Sequence, residues 1–119
     1  MKKYFQVLLG FVLSIMPLIN WAYSVDQGRI YTDKKELIKL RGINWFGFET
    51  KDHVVHGLWA RPWQSMIGQM KTLGFNAVRL PVCPETLQGV SVSSINYSYN
   101  PDLIGKNSLQ ILDVIIKEF

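Results

Sequence analysis

Residues 42–47, GINWFG, and residues 75–81, FNAVRLP, are two short apolar runs separated by a segment with a different repeat. Apolar runs of this length bounded by Gly or Pro are typical of buried β-strands. The intervening segment carries one apolar stripe at helical spacing, formed by Trp63, Met66, Ile67, Met70 and Leu73. Pro62 suits the first turn of this helix and Gly74 suits its end. The order strand, helix, strand predicts a β-α-β unit with a right-handed crossover, and therefore a parallel sheet.

Two shorter runs precede this unit. Residues 29–32 and 36–40 are compatible with β-strands, and the polar residues 33–35 between them suit a turn. We therefore expect a small β-hairpin before the first strand of the sheet.

A long connection and a second helix follow the unit. Residues 82–101 are rich in Ser, Asn, Tyr and Pro, and a connection of that length is more typical of a functional loop than of a simple link. Asn107 can cap a helix with Gln110 at its third position. The apolar stripe predicted for this helix consists of Leu109, Leu112, Ile116 and Phe119, widened by Ile111 and Ile115.

The sequence stops within that stripe without a Gly, Asn or Pro to close the helix. Two parallel strands and two helices do not enclose a core. We therefore expect a domain that is interrupted within its second helix, and the alternative is a helix that frays at a natural C-terminus.

Composition and charge exclude several classes of protein. Of the 119 residues 48% are apolar and 18% are charged, which is typical of a folded domain and not of a disordered chain. The net charge of +4 falls to +2 without Lys2 and Lys3, and no basic cluster remains, so nucleic acid is not an expected partner. A single cysteine, Cys83, excludes a disulfide framework within the chain; it is either a buried thiol or pairs with a residue outside this sequence.

The N-terminus has the pattern of a secretory signal. Lys2 and Lys3 precede an apolar stretch at residues 5–19, and Ala22 and Ser24 are small residues at the two positions that a signal peptidase reads. We predict a signal peptide over residues 1–24, cleavage after Ser24, and a secreted or periplasmic product without membrane attachment. The alternative is an uncleaved anchor, although the stretch is shorter than the roughly 20 residues of a spanning helix.

Candidate functional residues follow the predicted strands, because ligands of parallel β/α sheets bind at the carboxyl ends of the strands. Arg79 lies at such an end. Its guanidinium is costly to bury without an anion and fits a carboxylate. A salt bridge at the rim of a barrel would explain it equally well.

The segment 47–59 combines polar and aromatic side chains, as sugar sites do, since aromatic faces stack on pyranose rings. Its candidates are Glu49, Asp52, His53, His56 and Trp59. Trp59 precedes the helix and can face a cleft.

Three other interpretations of single residues are less specific. Trp63 lies on the helical stripe and is assigned to the core. The two histidines lack a third ligand, so no metal site is predicted. Glu49 and Glu85 follow successive strands and could form a carboxylate pair about 5 Å apart, but are interpreted as loop groups.

The sequence resembles a known family over nearly all of the segment after residue 24. The runs that carry the resemblance are residues 41–50, 54–59 and 73–81, followed by 94–97, 100–103 and 108–113. They are similar, in order and spacing, to the N-terminal part of glycoside hydrolase family five, the cellulase-type enzymes, and particularly to its bacterial endo-β-1,4-glucanases.

The resemblance implies a (β/α)₈ barrel that cleaves β-1,4-glucan internally with retention of configuration, without a cofactor or a metal. Its two catalytic glutamates follow the fourth and seventh strands, so neither is expected in this chain. Arg79 resembles the arginine that holds the nucleophile ionised, Trp59 an aromatic sugar platform, and His56 a cleft residue. Val82 and Cys83 depart from the family's usual residues at this wall of the cleft.

The resulting expectation is an α/β protein, an incomplete (β/α)₈ barrel comprising residues 25–119, with a short hairpin before its first two β/α units. Its function would be that of an N-terminal fragment of a secreted endo-β-1,4-glucanase that acts on β-glucan or cello-oligosaccharides and is inactive alone. One alternative is a small exported carbohydrate-binding protein without catalysis. Another is an interaction protein that completes its barrel with a second polypeptide.

Overall fold

A computed structural model describes residues 23–119. The predicted signal peptide lies outside the described residues, apart from its last two positions. Among residues 23–119 no helix has the length and apolar character needed to cross a membrane. The chain divides into two compact units, one ending at Ile38 and one beginning at Lys39.

The first unit contains a three-stranded antiparallel sheet. Its strands are β1 (Ser24–Asp26), β2 (Arg29–Tyr31) and β3 (Leu37–Ile38), in the order β1-β2-β3. The pair β2 and β3 forms the hairpin at residues 29–40, whereas β1 was not predicted. Gln27 and Gly28 join β1 to β2 with positive φ angles of 45° and 72°, which suits a tight two-residue hairpin turn.

The second unit is built on a parallel strand pair. Strand β4 (Gly42–Asn44) pairs with β5 (Ala77–Arg79), and helix α1 (Trp63–Thr72) connects them. The register aligns Asn44 with Arg79. The two strands are shorter than the apolar runs that predicted them, because pairing stops where the chain leaves β4 toward residue 47.

Helix α1 buries Trp63, Ile67 and Met70. The assignment of Trp63 to the core is therefore correct. Leu73 does not belong to the buried stripe, because it is the C-cap residue and is exposed. Gly74 follows it with a φ of +80°, the left-handed conformation expected where a helix ends.

The connection after β5, predicted as a long loop, contains two short helical elements. It contains a short helix, α2 (Pro84–Leu87), and a 3₁₀ turn at Pro101–Leu103. Thr86, Asn100 and Leu103 within it are fully buried. Much of this long loop is thus fixed to the core.

Helix α3 (Ser108–Glu118) begins with the predicted capping box. Gln110 N–H donates to Asn107 Oδ1 over 2.9 Å, and Asn107 N–H donates to Gln110 Oε1 over 3.0 Å. These two bonds satisfy donors at the helix start that lack a partner within the helix.

The predicted core face of α3 is wrong in part. Ile111, Leu112 and Ile115 are buried, whereas Leu109, Ile116 and Phe119 are exposed. The helix is apolar on more than one side, so its own periodicity does not decide which side packs inward. Ile111 and Ile115, which were expected only to widen the stripe, form the buried face together with Leu112.

Ile115 and Ile116 provide a matched test of that face, because they are adjacent and chemically identical but differ in exposure, 0% against 54%. Ile115→Ala should lower the free energy of unfolding by about 2–5 kcal/mol through the cavity it leaves. Ile116→Ala should change it by less than about 0.5 kcal/mol. Urea unfolding measures both variants, and equal losses would contradict the packing of α3.

Candidate functional site

The carboxyl ends of β4 and β5 form one edge of the parallel pair. Asn44 and Arg79 lie side by side in register at this edge, and both are exposed. Trp45 N–H donates to the Arg79 carbonyl over 3.0 Å and extends the pairing by one residue. The side chain of Arg79 is exposed at the end of β5, so it is not a buried cation within the described residues.

After β4 the chain doubles back on itself at Gly47. The φ of Gly47 is +136°, and a Cβ built there would lie 2.6 Å from the His56 nitrogen and 2.9 Å from the Val55 carbonyl carbon. Only glycine allows this approach. The approach is held by a bond of 2.8 Å from His56 N–H to the Phe46 carbonyl.

The return of the chain assembles an aromatic cluster of Phe46, His56 and Trp59. The His56 ring stacks on Phe46 at a centroid distance of 4.4 Å and an angle of 26°, and it meets Trp59 edge-on at 4.2 Å and 85°. Phe46 and Trp59 are 46% and 45% exposed. This cluster offers a broad aromatic surface next to the end of β4.

Phe46 is a member of the cluster that the sequence prediction missed. It was assigned to a buried strand because it lies in an apolar run, but β4 ends two residues earlier, at Asn44. The position of Phe46 could have indicated its place in the site, because side chains that follow the strands of a parallel sheet line its ligand sites.

His53 lies apart from the cluster, in a second group with Cys83 and Thr86. Its Nδ1 is 3.1 Å from Thr86 Oγ1 and 3.6 Å from Cys83 Sγ. The Thr86 hydroxyl also donates to the Phe48 carbonyl. These hydrogen bonds join α2 to the 47–59 segment. Within residues 23–119 no three potential metal ligands come together.

The acidic candidates serve local structure. Glu49 Oε2 accepts the Gly47 N–H over 2.7 Å and closes the turn that follows β4. Asp52 Oδ1 accepts the Ser93 hydroxyl over 2.6 Å, and this bond holds the pKa of Asp52 below its ordinary value. Glu85 lies in the first turn of α2. Its pKa is lowered mainly by a hydrogen bond from its own backbone N–H and to a smaller extent by one from the Cys83 thiol.

Asn100 is a buried polar residue that no sequence motif singled out for function. Its Oδ1 accepts the Trp63 N–H at the start of α1 over 2.9 Å, and its Nδ2 donates to the Leu58 carbonyl over 2.9 Å. Both partners lie about 40 positions earlier in the sequence, so no local pattern could reveal them.

A comparison with protein families identifies one domain in the chain. The family described as cellulase, glycosyl hydrolase family 5, matches residues 33–119. The matched region therefore includes both ends of the parallel strand pair, the aromatic cluster and Arg79.

Individual relatives agree with the family match. A major extracellular endoglucanase from Xanthomonas campestris is 55% identical over 101 residues, which is 83% of this chain and 21% of that protein. An endoglucanase from Paenibacillus polymyxa is 37% identical over 97 residues, which is 81% of this chain and 24% of that protein. This chain thus spans between one fifth and one quarter of the length of these two relatives.

Solved structures agree as well. The catalytic domain of the Xanthomonas campestris enzyme superposes with a TM-score of 0.77 at 53% identity, over 82% of this chain and 28% of that one. A complex of an endocellulase from Pyrococcus horikoshii with cellotetraose superposes with a TM-score of 0.76 at 52% identity, over 81% of this chain and 27% of that one. The fold described here therefore matches a little over a quarter of each of these two solved chains.

The close approach of the backbone at Gly47 can be tested by substitution, with a second glycine, Gly68, as the control. Gly47→Ala forces a Cβ into the backbone at residues 54–56 and should destabilise the chain by at least about 2 kcal/mol. Gly68 lies within α1 with open space at its Cβ position, so Gly68→Ala should stabilise by about 0.5–1 kcal/mol. Urea unfolding measures the stability of both variants. A Gly47→Ala variant with an unchanged free energy of unfolding would contradict the close approach.

Proposed function

Because the chain belongs to the cellulase family, glycosyl hydrolase family 5, we propose that it is the N-terminal portion of a secreted, retaining endo-β-1,4-glucanase. Its substrate would be β-glucan or a cello-oligosaccharide. The aromatic cluster at the carboxyl end of β4 carries the proposal, because it provides a sugar-binding surface within this chain.

The chemistry of the cluster suits a glucan chain. The axial C–H bonds of a β-linked glucose give each ring two apolar faces, and such faces stack on aromatic rings. Trp59 presents the largest exposed ring of the cluster, and the His56 imidazole beside it can exchange hydrogen bonds with sugar hydroxyls. The Pyrococcus horikoshii neighbour, whose structure was determined with cellotetraose, supports a cello-oligosaccharide as the ligand.

Arg79 would act on the nucleophile. Retaining hydrolysis needs one carboxyl group that donates and then accepts a proton, and a second that attacks the sugar as a carboxylate. A guanidinium beside the second carboxyl favours its ionised form and orients it through two parallel hydrogen bonds. Arg79 is exposed at the end of β5, the strand edge at which such a carboxylate would be placed.

The catalytic glutamates would come from strands beyond those of this chain. The described residues contribute two parallel strands, and the chain covers 28% of the Xanthomonas catalytic domain. Further β/α units would pair with β5 and cover the exposed apolar face of α3. We therefore propose that residues 25–119 alone bind but do not hydrolyse glucan.

The proposed location is outside the cytoplasm. Its support is the signal-like pattern at residues 1–24 and the similarity to a protein that is extracellular in Xanthomonas campestris. A small carbohydrate-binding protein is the second candidate function, because the aromatic cluster lies entirely within the described residues.

A chimaera tests the proposal. We would replace the matching segment of the Xanthomonas campestris enzyme, which is 55% identical to this chain over 101 residues, with residues 33–119 of this chain. The chimaera should hydrolyse carboxymethylcellulose, whereas the 119-residue chain should not; the intact relative is the positive control. A folded but inactive chimaera, or hydrolysis by the chain alone, would refute the proposal. Glucan binding by the chain together with an inactive chimaera would favour the second candidate.

The role of Arg79 predicts a change in the pH profile of that chimaera. A neighbouring cation lowers a carboxyl pKa by about 1–3 units, so Arg79→Ala should raise the nucleophile's pKa by that amount. The carboxylate is then protonated at higher pH, and the acidic limb of kcat/KM should move up by about 1–3 pH units. Arg79→Lys keeps the charge and should move the limb less. An unmoved limb in Arg79→Ala would exclude this role.

A further inference from the structure

We propose that Asn100 is a positioning residue that holds Trp59 where a glucose ring can stack on it. The proposal rests on the proposed function, since it gives a buried side chain a task in sugar binding. Asn100 contacts no solvent and therefore cannot contact the sugar itself. It would act through the backbone that carries Trp59.

The hydrogen bonds of Asn100 reach both sides of Trp59 in the sequence. Nδ2 donates to the carbonyl of Leu58, the residue before Trp59, over 2.9 Å, and it lies 3.5 Å from the carbonyl of Arg61, two residues after it. Oδ1 accepts the Trp63 N–H over 2.9 Å, where α1 begins. One amide thus fixes the whole turn between the aromatic cluster and α1.

The segment around Asn100 reinforces this hold. Asn96 N–H donates to the same Leu58 carbonyl over 3.0 Å, and the Asn96 carbonyl accepts from Asn100 Nδ2 over 3.1 Å. Ser93 binds Asp52 through its hydroxyl and its N–H, over 2.6 Å and 3.2 Å. Residues 93–100 therefore hold the 47–59 segment in its interior, at Asp52, and near its end, at Leu58.

The Trp59 ring is open to solvent over part of its surface. It is 45% exposed, and its contact within the cluster is the edge-on approach of His56. Stacking on a sugar requires the ring plane to be fixed before binding, since ordering it on binding would cost affinity. The position of the ring then depends on the peptide groups that Asn100 holds.

The chemistry at this position requires an amide. The site demands an acceptor for the Trp63 N–H and a donor for the Leu58 carbonyl, both in buried hydrogen bonds, and an amide supplies both in one planar group. Asp supplies the acceptor but no donor when ionised. Asn100→Asp therefore keeps the bond to α1 and removes the bonds that flank Trp59.

The test uses the full chain and measures affinity and stability separately. Cellotetraose is titrated while the NMR signal of the Trp59 indole N–H is followed, and urea unfolding gives the stability of each variant. Asn100→Asp should weaken cellotetraose binding on the order of tenfold, the loss of about one stacking contact, and should shift the free Trp59 signal.

Asn76→Asp is the matched control. Asn76 also bridges backbone groups, accepting the Arg41 N–H over 2.7 Å and donating to the Lys39 carbonyl over 2.9 Å, but at the opposite ends of β4 and β5 from the aromatic cluster. Asn76→Asp should leave the affinity for cellotetraose unchanged, whatever it does to the free energy of unfolding.

A double-mutant cycle separates positioning from general structural support. If Asn100 acts through Trp59, Asn100→Asp should have no further effect on cellotetraose binding in a Trp59→Ala background. An equal loss in that background, or an unchanged affinity in Asn100→Asp despite lower stability, would overturn the proposal. If Trp59→Ala itself leaves the affinity for cellotetraose unchanged, the proposed function of Trp59 as a sugar platform is wrong. That outcome is distinct from a failure of the proposal for Asn100.

A second variant and a measurement on the unmodified chain guard against loss of folding. Where Asn100→Asp shows no cooperative urea transition, Asn100→Ser carries the same comparison without a buried charge. In the unmodified chain, the heteronuclear NOE of the Trp59 indole N–H should be as high as that of the backbone amides of α1 before cellotetraose is added, because the ring is already held in place. A low value in the free chain that rises on addition of cellotetraose would contradict the proposal.

Discussion

The close approach of two backbone segments at Gly47 is the constraint on which the candidate site depends. Residues 54–56 lie where a side chain of residue 47 would otherwise be. That approach brings His56 onto Phe46 and, with the bond of 2.9 Å from Trp45 Nε1 to the His56 carbonyl, fixes the start of the segment that ends in Trp59. Because Gly47 has no Cβ, the chain can return close to the end of β4, and the aromatic side chains of both segments meet there.

Buried polar groups then fasten the long connection to this surface. Thr86, Asn100 and Ser108 are fully buried, and each finds hydrogen-bond partners; among the described residues no buried side-chain polar atom lacks one. The Ser108 hydroxyl donates to the Thr86 carbonyl over 2.7 Å and joins the start of α3 to α2. Because an unsatisfied buried group is costly, these bonds specify one arrangement of residues 82–108.

The parts of the fold that could be predicted are those with local causes. The apolar runs of β4 and β5, the stripe of α1 and the Asn107 capping box each lie within a few residues, and each is present in the structure. The face of α3 was predicted wrongly because its apolar residues surround more than one side, and tertiary packing selects among them. In the site, Trp59 and His56 could be predicted together because they lie in one short segment. The contacts of Asn100 could not be predicted, because they join residues about 40 positions apart and no local sequence pattern marks them.

We propose that the aromatic cluster at the end of β4 binds a glucan chain. The most direct measurement is a crystal structure of the protein, or of the chimaera described above, with cellotetraose. We predict a glucose ring lying parallel to the Trp59 ring, with ring atoms about 3.5–4 Å apart. Cellotetraose bound elsewhere, with Trp59 left uncovered, would contradict the claim.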